Sequence, residues 1–370
     1  MSDRATTVAE GFSQNLMLAG YDTDLLRIIT NSDYQGEINK VGSLLDIMDF
    51  DKIHEHDYVK GAAPSPDDIT ENNGKLEIDK KKTFYWADYT IDNFISYIKN
   101  PESTIFTQTA AERNMNKDKY VLAKYGDVGA GNRIGTDVTS GTVTIDADGV
   151  VTGTDSVFTA ACVGRGFKAS GHTEWYRVKT YSGVNTITIE DDRDDITSDY
   201  TGAVISSGQT FVIEAVTPIT LTTSNILQYF GKAKLKLDTA ERNGHFAVPT
   251  ANRFGVVPAE FEDMITRATG VELHVPEAYT ELVKAGFLTR LKGLDLYESN
   301  RLSGTNTDGF HMIIGHPGWM TYAEQILQAK MEEDLKGDFG VAYKDLFVYG
   351  SKVKDCQRHM ATEIFATFSG

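Results

Sequence analysis

The order of elements between Leu221 and Val353 constrains the fold of this chain more than any other feature. The segment opens with apolar residues at helical spacing and continues with the strand-like HFAVP, the helical run NRFGVVPAEFEDMITRA and two extended pieces around RLKGLDLYESNRL. It closes with WMTYAEQILQ, which we interpret as a helix, and the strand LFVYGSKV. The predicted order is therefore helix, strand, helix, strand, strand, helix and strand, typical of an α+β protein.

Two apolar stripes support the first and second of these helices. In the first, a helical repeat predicts one buried face that ends at Gly244, and its members are Ile226, Tyr229, Phe230, Ala233 and Leu237. In the second, Phe261, Met264 and Ile265 form the stripe. These residues, with the closing strand TEIFATF, are the predicted core of the C-terminal half.

The N-terminal third reads as extended structure followed by one long helix. Residues before Tyr21 are polar and weakly patterned, and DTDLLRIIT predicts a short helix with aspartates at its start. Leu76 and Ile78 then alternate with polar residues, which predicts a half-exposed strand of a hairpin.

A helix is predicted from Pro101 to about Tyr125, because this run contains no internal glycine or proline. Its apolar face is narrow, with Ile105, Met115 and Leu122, as in a strut that lies across a sheet. The glycines that follow, between 126 and 135, lack the dinucleotide-binding spacing and predict a joint.

Residues 136–216 differ in composition from the rest of the chain. Thr, Ser, Gly and Asp dominate, and short alternating runs are separated by turn signals such as DADG. This pattern predicts an inserted β-sandwich or barrel.

Composition limits the classes of function. The 370-residue chain carries a net charge of −17, so its surface as a whole does not suit nucleic-acid binding. It contains no apolar run long enough to cross a membrane and no start typical of a secretory signal. The two cysteines, Cys162 and Cys356, match no metal spacing and predict reduced thiols.

Few residues of the sequence suggest a metal-binding or catalytic site. His54 and His56 would share one face of a strand, as two metal ligands could, but no third ligand is placed, and a polar loop is favoured. The acidic run Glu190 to Asp199 lacks the pattern of a calcium loop. No nucleophile, zinc, phosphate-loop or redox motif occurs. We predict no catalytic, cofactor or metal site.

Lys80, Lys81 and Lys82 form the most distinctive charged cluster. They could meet an acidic patch on a neighbouring subunit and set its register. Equally, they could be solvated lysines that protect a strand edge from aggregation.

The order of elements, with WMTYAEQILQ followed by LFVYGSKV, resembles the major capsid proteins of tailed bacteriophages, which have the Hong Kong 97-type fold. Ser351 stands where alanine is usual in a YGAKV-like strand of that family. The run from TVTIDADG to WYRVKTY is similar to small β-domains of phage virion proteins.

The resemblance implies a particular division of the chain. Its parts are an N-terminal arm (1–40), an extended β-hairpin loop (41–90), a spine helix of the peripheral domain (91–135), the β-insertion (136–216), an axial domain (217–340) and return strands of the peripheral domain (341–370). Some family members crosslink a lysine to an asparagine, but no carboxylate marks Lys75 and Asn73 for this, and we predict no crosslink.

The resemblance also implies a function. The chain would be a non-enzymatic major coat protein that forms hexamers and pentamers of an icosahedral shell around double-stranded DNA, without sequence-specific binding. Further partners would be a portal and scaffold or decoration proteins. The location would be the virion, after assembly in the host bacterial cytoplasm. The subunit-interface candidates are Tyr58, Asp67, Asp68, Lys75, Lys80, Lys81 and Lys82.

Two alternatives remain open. The insertion could bind host glycans on a virion surface, with Trp175, Tyr176 and Tyr181 as stacking faces. The same fold could also form an encapsulin-like nanocompartment that carries an enzyme instead of a genome.

Overall fold

The computed structural model describes residues 25–31, 44–50, 71–89, 101–192, 199–267, 287–332 and 340–369, with the single residues 55, 57 and 60. The described α-helices are α1 (Leu26–Ile29), α2 (Pro101–Leu122), α3 (Ile226–Asp238) and α4 (Ala259–Arg267). The strands, in chain order, are β1 (Leu44–Phe50), β2 (Glu71–Glu77), β3 (Lys80–Tyr89), β4 (Arg133–Ile134), β5 (Thr136–Val138), β6 (Thr142–Ile145), β7 (Val150–Thr154), β8 (Gly166–Ala169), β9 (Tyr176–Gly183), β10 (Thr186–Asp191), β11 (Ile205–Gln209), β12 (Phe211–Thr217), β13 (Ile219–Leu221), β14 (Phe254–Val257), β15 (Phe287–Leu291), β16 (Leu294–Glu298), β17 (Gly304–Thr305), β18 (Gly309–Gly315), β19 (Met320–Glu332), β20 (Gly340–Val353) and β21 (Ala361–Phe368).

The chain divides into two compact units. The first contains Met1–Val121 and Met320–Lys352, and the second contains Leu122–Trp319 and Val353–Gly370. The expected axial segment (217–340) and return segment (341–370) are therefore each split between the units, because β19 and β20 belong to the first unit and β21 to the second.

Among its described residues, the first unit contains two separate sheets. β1 and β2 pair antiparallel with each other as a two-stranded ribbon. β3 pairs antiparallel with β20 in a three-stranded sheet of order β19-β20-β3. Leu76 and Ile78, at the end of the ribbon, are buried against Ala323 and Val348 of this sheet, which fits the alternation in the sequence.

The β-insertion is one curled sheet of eight strands in the order β11-β6-β7-β10-β9-β8-β12-β5. β11 lies at one end of this order and β12 next to the other, yet Gln209 and Phe211 are only two residues apart. The sheet must therefore curl until its ends approach, which encloses a core that includes Val151, Phe167 and Ile187. At the DADG turn, Gly149 has φ 74° and Asp146 Oδ1 accepts hydrogen bonds from the backbone of Asp148 and Val150.

The rest of the second unit is built on a mixed sheet of order β13-β21-β18-β14-β16-β15, with β4 also paired to β21. α3 packs against β21 and buries Ile226, Phe230, Ala233 and Leu237, while Tyr229 is half-buried. Phe230 contacts Phe261 of α4, with ring centroids 4.9 Å apart. Both predicted apolar stripes are thus buried.

Four local predictions were wrong. The helix predicted at WMTYAEQILQ is strand β19, because pairing in a sheet overrides a weak helical propensity. HFAVP forms no strand, and the helical run after it begins with strand β14, whose four residues are all buried. α3 ends at Asp238, and Gly244 instead ends a short 3₁₀ turn with φ 88°.

The long helix is present as α2 and continues as a 3₁₀ turn from Ala123 to Asp127. Within the described residues, none of the helices is both long and apolar enough to span a membrane. The expected N-terminal arm before residue 25, the aspartates before α1 and the loop tip at 61–70 lie outside the described residues.

Candidate assembly surfaces and the buried charges behind them

The buried face of α2 carries charged side chains as well as apolar ones. Arg113 donates a hydrogen bond to Asp345 Oδ2 of β20 over 2.5 Å, and the two side chains are 8% and 0% exposed. Asp345 Oδ1 also accepts a hydrogen bond from the backbone N–H of Phe84 at 3.1 Å. The Arg113 guanidinium lies 4.3 Å from the ring centroid of Phe347. One ion pair therefore joins α2, β20 and β3.

A second buried pair lies one turn further along α2. Lys117 Nζ is 3.1 Å from Glu324 Oε2 of β19, with both side chains 5% exposed, and the Tyr322 hydroxyl donates to the same oxygen at 2.7 Å. None of these four charged residues was predicted from the sequence to be buried. The four-residue spacing of Arg113 and Lys117 was the available signal, since it places both on one helix face.

The three apolar residues predicted for the buried face of α2 are buried to different extents. Ile105 and Met115 are only half-buried, and Leu122 is fully buried. Aromatic packing supplies the apolar contact instead: Trp86 and Tyr343 stack with ring centroids 4.6 Å apart, and Ala110 of α2 belongs to the same cluster.

β3 is an edge strand of its sheet among the described residues, and it presents large exposed side chains. Tyr85 is 60% exposed and Tyr89 is 39% exposed. Both stand an odd number of residues from the half-buried Trp86. Since successive side chains of a strand point to opposite faces, both tyrosines lie on the face of β3 opposite the aromatic cluster. An exposed edge with two tyrosines is a surface that another chain can cover.

The three lysines of β3 differ in their surroundings. Lys80 is 3.0 Å from Asp79 and lies 5.4 Å from the Tyr120 ring centroid. Lys81 and Lys82 are exposed, and no described acidic side chain forms an ion pair with either. Lys75 is exposed on β2, opposite Asp46 in the ribbon. Lys81 and Lys82 are thus the part of the cluster available to a partner.

Several candidate residues lie outside the described part of the chain: Tyr58, Asp67, Asp68, His54 and His56. Among the described residues, no group of three His, Cys, Asp or Glu side chains is arranged to hold a metal.

The described part of the acidic run and the proposed stacking residues have structural partners. Asp192 accepts a hydrogen bond from Ala130 N–H at 2.6 Å and lies 3.1 Å from Arg358. Tyr176 is buried in the core of the insertion, and Trp175 is half-buried with its ring against Gly131. Tyr181 packs on the same core. Tyr176 is therefore not exposed, and Trp175 and Tyr181 are each only partly exposed.

A network of buried charges joins the insertion to the sheet that contains β21. Glu363 of β21 is 0% exposed, and Arg165 Nη1 of the insertion donates to both of its oxygens at 3.1 Å. His311 Nδ1 lies 2.6 Å from Glu363 Oε1, and its ring stacks between Tyr125 and Phe365.

The pKa values of the two buried carboxyls in this network are shifted in opposite directions. Burial raises the pKa of Glu363, but the hydrogen bond with His311 and the charges of Arg165 and Arg133 outweigh it and hold the pKa below its ordinary value. Burial raises the pKa of Glu214 on β12 to about 7, against the opposing charge of Arg133. Glu214 Oε1 accepts a hydrogen bond from Gly131 N–H at 2.8 Å.

Arg133 holds the segment that leads into the insertion. It donates to the carbonyls of Gly126, Val128 and Gly164 at 2.5 to 2.9 Å. The glycine-containing segment predicted as a joint is therefore held in place by a buried guanidinium. No local sequence pattern marks this role, since its partners are 7, 5 and 31 residues away.

The fold is similar to those of known phage structures. One of Mycobacterium phage Che8 has 18% identity and a TM-score of 0.50, over 93% of this chain and 90% of that chain. The capsid structure of the cyanophage P-SCSP1u has 14% identity and a TM-score of 0.51, over 94% and 88%. The capsid of Ralstonia phage GP4 has 9% identity and a TM-score of 0.51, over 93% and 89%. No family model and no curated protein matches the sequence.

These likenesses cover more than nine-tenths of this chain. The chain has an α+β fold of the Hong Kong 97 capsid type, as the resemblance in the sequence implied. At these identities the likeness shows the fold alone, and the function is inferred from it below.

Proposed function

We propose that this protein is the major capsid protein of a tailed bacteriophage. Its subunits assemble into hexamers and pentamers of an icosahedral shell that encloses double-stranded DNA. The observation that carries the proposal is the capsid fold over almost the whole chain. The role is structural, and the protein is located in the virion after assembly in the host cytoplasm.

The β1–β2 ribbon supports the proposal. A two-stranded ribbon buries too little apolar surface to be stable alone. Among the described residues it pairs with no third strand, and Leu76 and Ile78 at its end are buried. We propose that the ribbon lies over an adjacent subunit, which supplies the missing contacts.

The edge strand β3 supplies a second surface for this purpose. Tyr85 and Tyr89 offer apolar area at low entropic cost, and Lys81 and Lys82 offer positive charge in an acidic protein. Each contact is modest, but repeated contacts in a closed shell multiply through effective concentration. Interfaces of this permanent kind bury more than about 2,000 Å² in total.

The proposal is tested by negative-stain microscopy and light scattering of the purified protein over a range of concentration and ionic strength. We expect closed shells or capsomers. A chain that stays monomeric under every condition, and with candidate scaffold proteins of the same genome added, would overturn it. DNA-free native particles loaded with an enzyme would instead identify a nanocompartment.

The role of the hairpin is tested by deleting Ala62 to Gly74, which removes the loop and half of β2. We expect a folded, soluble subunit that no longer closes shells. Intact particles from this variant would show that the ribbon is not needed for assembly.

A further inference from the structure

Two imidazole rings are stacked on each other in the second unit. His245 lies just after the short 3₁₀ turn that follows α3, and His359 lies in a 3₁₀ turn, Asp355–Met360, that precedes β21. The ring centroids are 3.4 Å apart, and the ring planes differ by 11°. Nδ1 of His359 is buried without a hydrogen-bond partner among the described residues. A neutral imidazole can occupy such a position, whereas a charged one would need an acceptor there.

The backbone at His359 is bonded to residues 127–132, which lead towards the β-insertion and which we call the root segment. A Cβ at Gly129 would come within 2.7 Å of the His359 ring, so only glycine allows this approach. Gly129 N–H donates to the carbonyl of Arg358 at 3.2 Å. Asn132 Nδ2 donates to the carbonyl of His359 at 3.0 Å. The stack therefore lies where the 3₁₀ turn meets the root segment.

Positive charge predominates around the stack. Arg358 precedes His359 in the chain, and the charge of Lys236 on α3 disfavours a proton on His359, which lowers its pKa. Asp192 favours a proton on His245 and raises its pKa. However, Oδ2 of Asp192 accepts a backbone N–H of the root segment at 2.6 Å, and its Oδ1 lies 3.1 Å from Arg358.

Other charged and titratable groups surround the contact, and the described ones are Arg177, Glu214, His316 and Asp355. Arg177 is 3.4 Å from Asp192, and Asp355 is 3.7 Å from Arg358. Glu214 accepts a hydrogen bond from the root segment at 2.8 Å. The His316 ring accepts the Gly318 N–H at 3.1 Å. The acidic groups at the contact thus already have partners.

The two stacked rings resist protonation. Burial lowers the pKa of His359 from 6.5 to about 3, and the charges of His245 and Lys236 act in the same direction. Burial also lowers the pKa of His245, against the charge of Asp192. An opened contact would bind protons more readily than the closed one. These histidines therefore favour opening as pH falls below about 6.5.

We propose that the His245–His359 stack is a proton-sensitive switch, in which uptake of a proton by His359 separates the 3₁₀ turn from the root segment. The opening is local, because the β-insertion keeps its own core and the Arg165–Glu363 contact stays in place. The root of the insertion is thus held at neutral pH and loosened in mild acid. The switch belongs to the fold of the second unit and does not depend on the proposed capsid function.

The test is hydrogen–deuterium exchange of the full-length, unassembled subunit at pH 7.5 and pH 5.0, read by mass spectrometry and corrected for intrinsic exchange rates. Peptides that cover 123–135 and 353–361 report on the contact. The variant His359→Phe keeps an aromatic ring on His245 but takes up no proton.

The opening constant at pH 5.0, divided by that at pH 7.5, should be about 30-fold larger in the original protein than in His359→Phe. A group with a pKa of about 3 when closed and about 6.5 when open gives this factor. Glu214 has the opposite pH dependence, because its pKa is raised to about 7, but it is present in both proteins and cancels in the comparison.

The matched control is His172→Gln, which replaces another buried histidine of the second unit and keeps a hydrogen-bonding group towards the Ala203 carbonyl. It should keep the pH dependence of the original protein. If His359→Phe does not fold at pH 7.5, the smaller His359→Asn is measured in the same way.

Equal pH dependence of the contact peptides in the original protein and the His359 variant would overturn the proposal. An equal effect of the His359 substitution on a peptide from β18 would also overturn it, because acid would then open the whole unit. The same loss of pH dependence in His172→Gln would count against the stack. Since the subunit is unassembled, the result is separate from whether shells form.

Discussion

At the scale of single residues, the subunit depends on charges that are buried and paired. Arg113 with Asp345 and Lys117 with Glu324 lie on the buried face of α2, beside a few apolar residues. Buried pairs of this kind add little net stability, but removing one partner leaves an uncompensated charge. They therefore fix where α2 lies on its sheet more than they strengthen the unit.

The first prediction concerns Arg113→Met. It leaves Asp345 buried without its ion-pair partner, and we expect the free energy of unfolding to fall by about 3 to 5 kcal/mol. Denaturant unfolding of the unassembled subunit measures this. The control Arg267→Met breaks the exposed pair with Asp263, 52% and 71% exposed, and should cost at most about 1 kcal/mol. Similar losses in the two variants would show that the Arg113 pair is not specially buried.

The second prediction concerns Glu214, whose ordinary pKa of 4.5 is raised to about 7 by burial. Between these values the unfolded chain is ionised while the folded carboxyl keeps its proton, so stability falls as pH rises through about 7. A rise of this size corresponds to about 3 kcal/mol. Glu363 has the opposite effect on the pH dependence of stability. Its pKa is lowered in the folded protein, so the stability that it contributes is lost as pH falls.

Glu214→Gln should flatten the fall in melting temperature between pH 5 and pH 8. The absolute melting temperature can drop slightly, because an amide offers one acceptor where the carboxyl offers two. The slope is therefore the diagnostic quantity. The control Glu190→Gln, at a partly exposed carboxyl, should keep the slope of the original protein. An unchanged slope in the Glu214→Gln variant would contradict the raised pKa.

At the scale of elements, β3 and β19 show how pairing decides what a segment becomes. WMTYAEQILQ has helix-forming residues but lies in a three-stranded sheet as β19. β3 lies at the opposite edge of the same sheet and carries Lys81, Lys82, Tyr85 and Tyr89. Lysines on an edge strand can either guide a partner or prevent aggregation.

The third prediction separates these two roles with Lys81→Gln/Lys82→Gln. If the lysines meet an acidic surface of a neighbouring subunit, the yield of closed shells should fall and lose part of its salt dependence. If they only protect the edge, the variant should still form shells, but its unassembled subunits should aggregate more readily. Light scattering and microscopy distinguish the outcomes, with Lys168→Gln/Lys179→Gln as a control of the same net charge.

At the scale of the whole molecule, the β-insertion enters and leaves the fold at one place. β5 and β12 are neighbours, and Thr136 pairs with Thr217. Adjacent ends are what an inserted domain requires, since the host fold then closes without it. The insertion is nevertheless joined to the host sheet by the Arg165–Glu363 contact and by Arg133.

The fourth prediction is that replacing Thr136 to Val216 with a short Gly/Ser linker leaves a subunit that still forms shells but melts at a lower temperature. The removal takes Arg165 from Glu363 and uncovers Phe365. A deletion variant that folds but never assembles would show that the insertion contributes subunit contacts.

The sequence by itself determined the features that depend on local pattern. Helical repeats predicted the buried faces of α3 and α4, alternation predicted Leu76 and Ile78, and turn chemistry predicted the hairpin at DADG. The resemblance of the closing motifs to those of capsid proteins indicated the fold, although the helix predicted at WMTYAEQILQ was wrong. Such local features can be predicted because residues that are neighbours in the chain are also neighbours in space.

Only the tertiary structure decided the features that join distant segments. Arg113 meets Asp345 across 232 residues, and Arg165 meets Glu363 across 198. The strand at Met320–Glu332 also needs a partner from elsewhere in the chain, strand β20. From the sequence alone, a charged residue is predicted to be exposed to solvent. Its burial depends on an oppositely charged partner that lies far away in the chain.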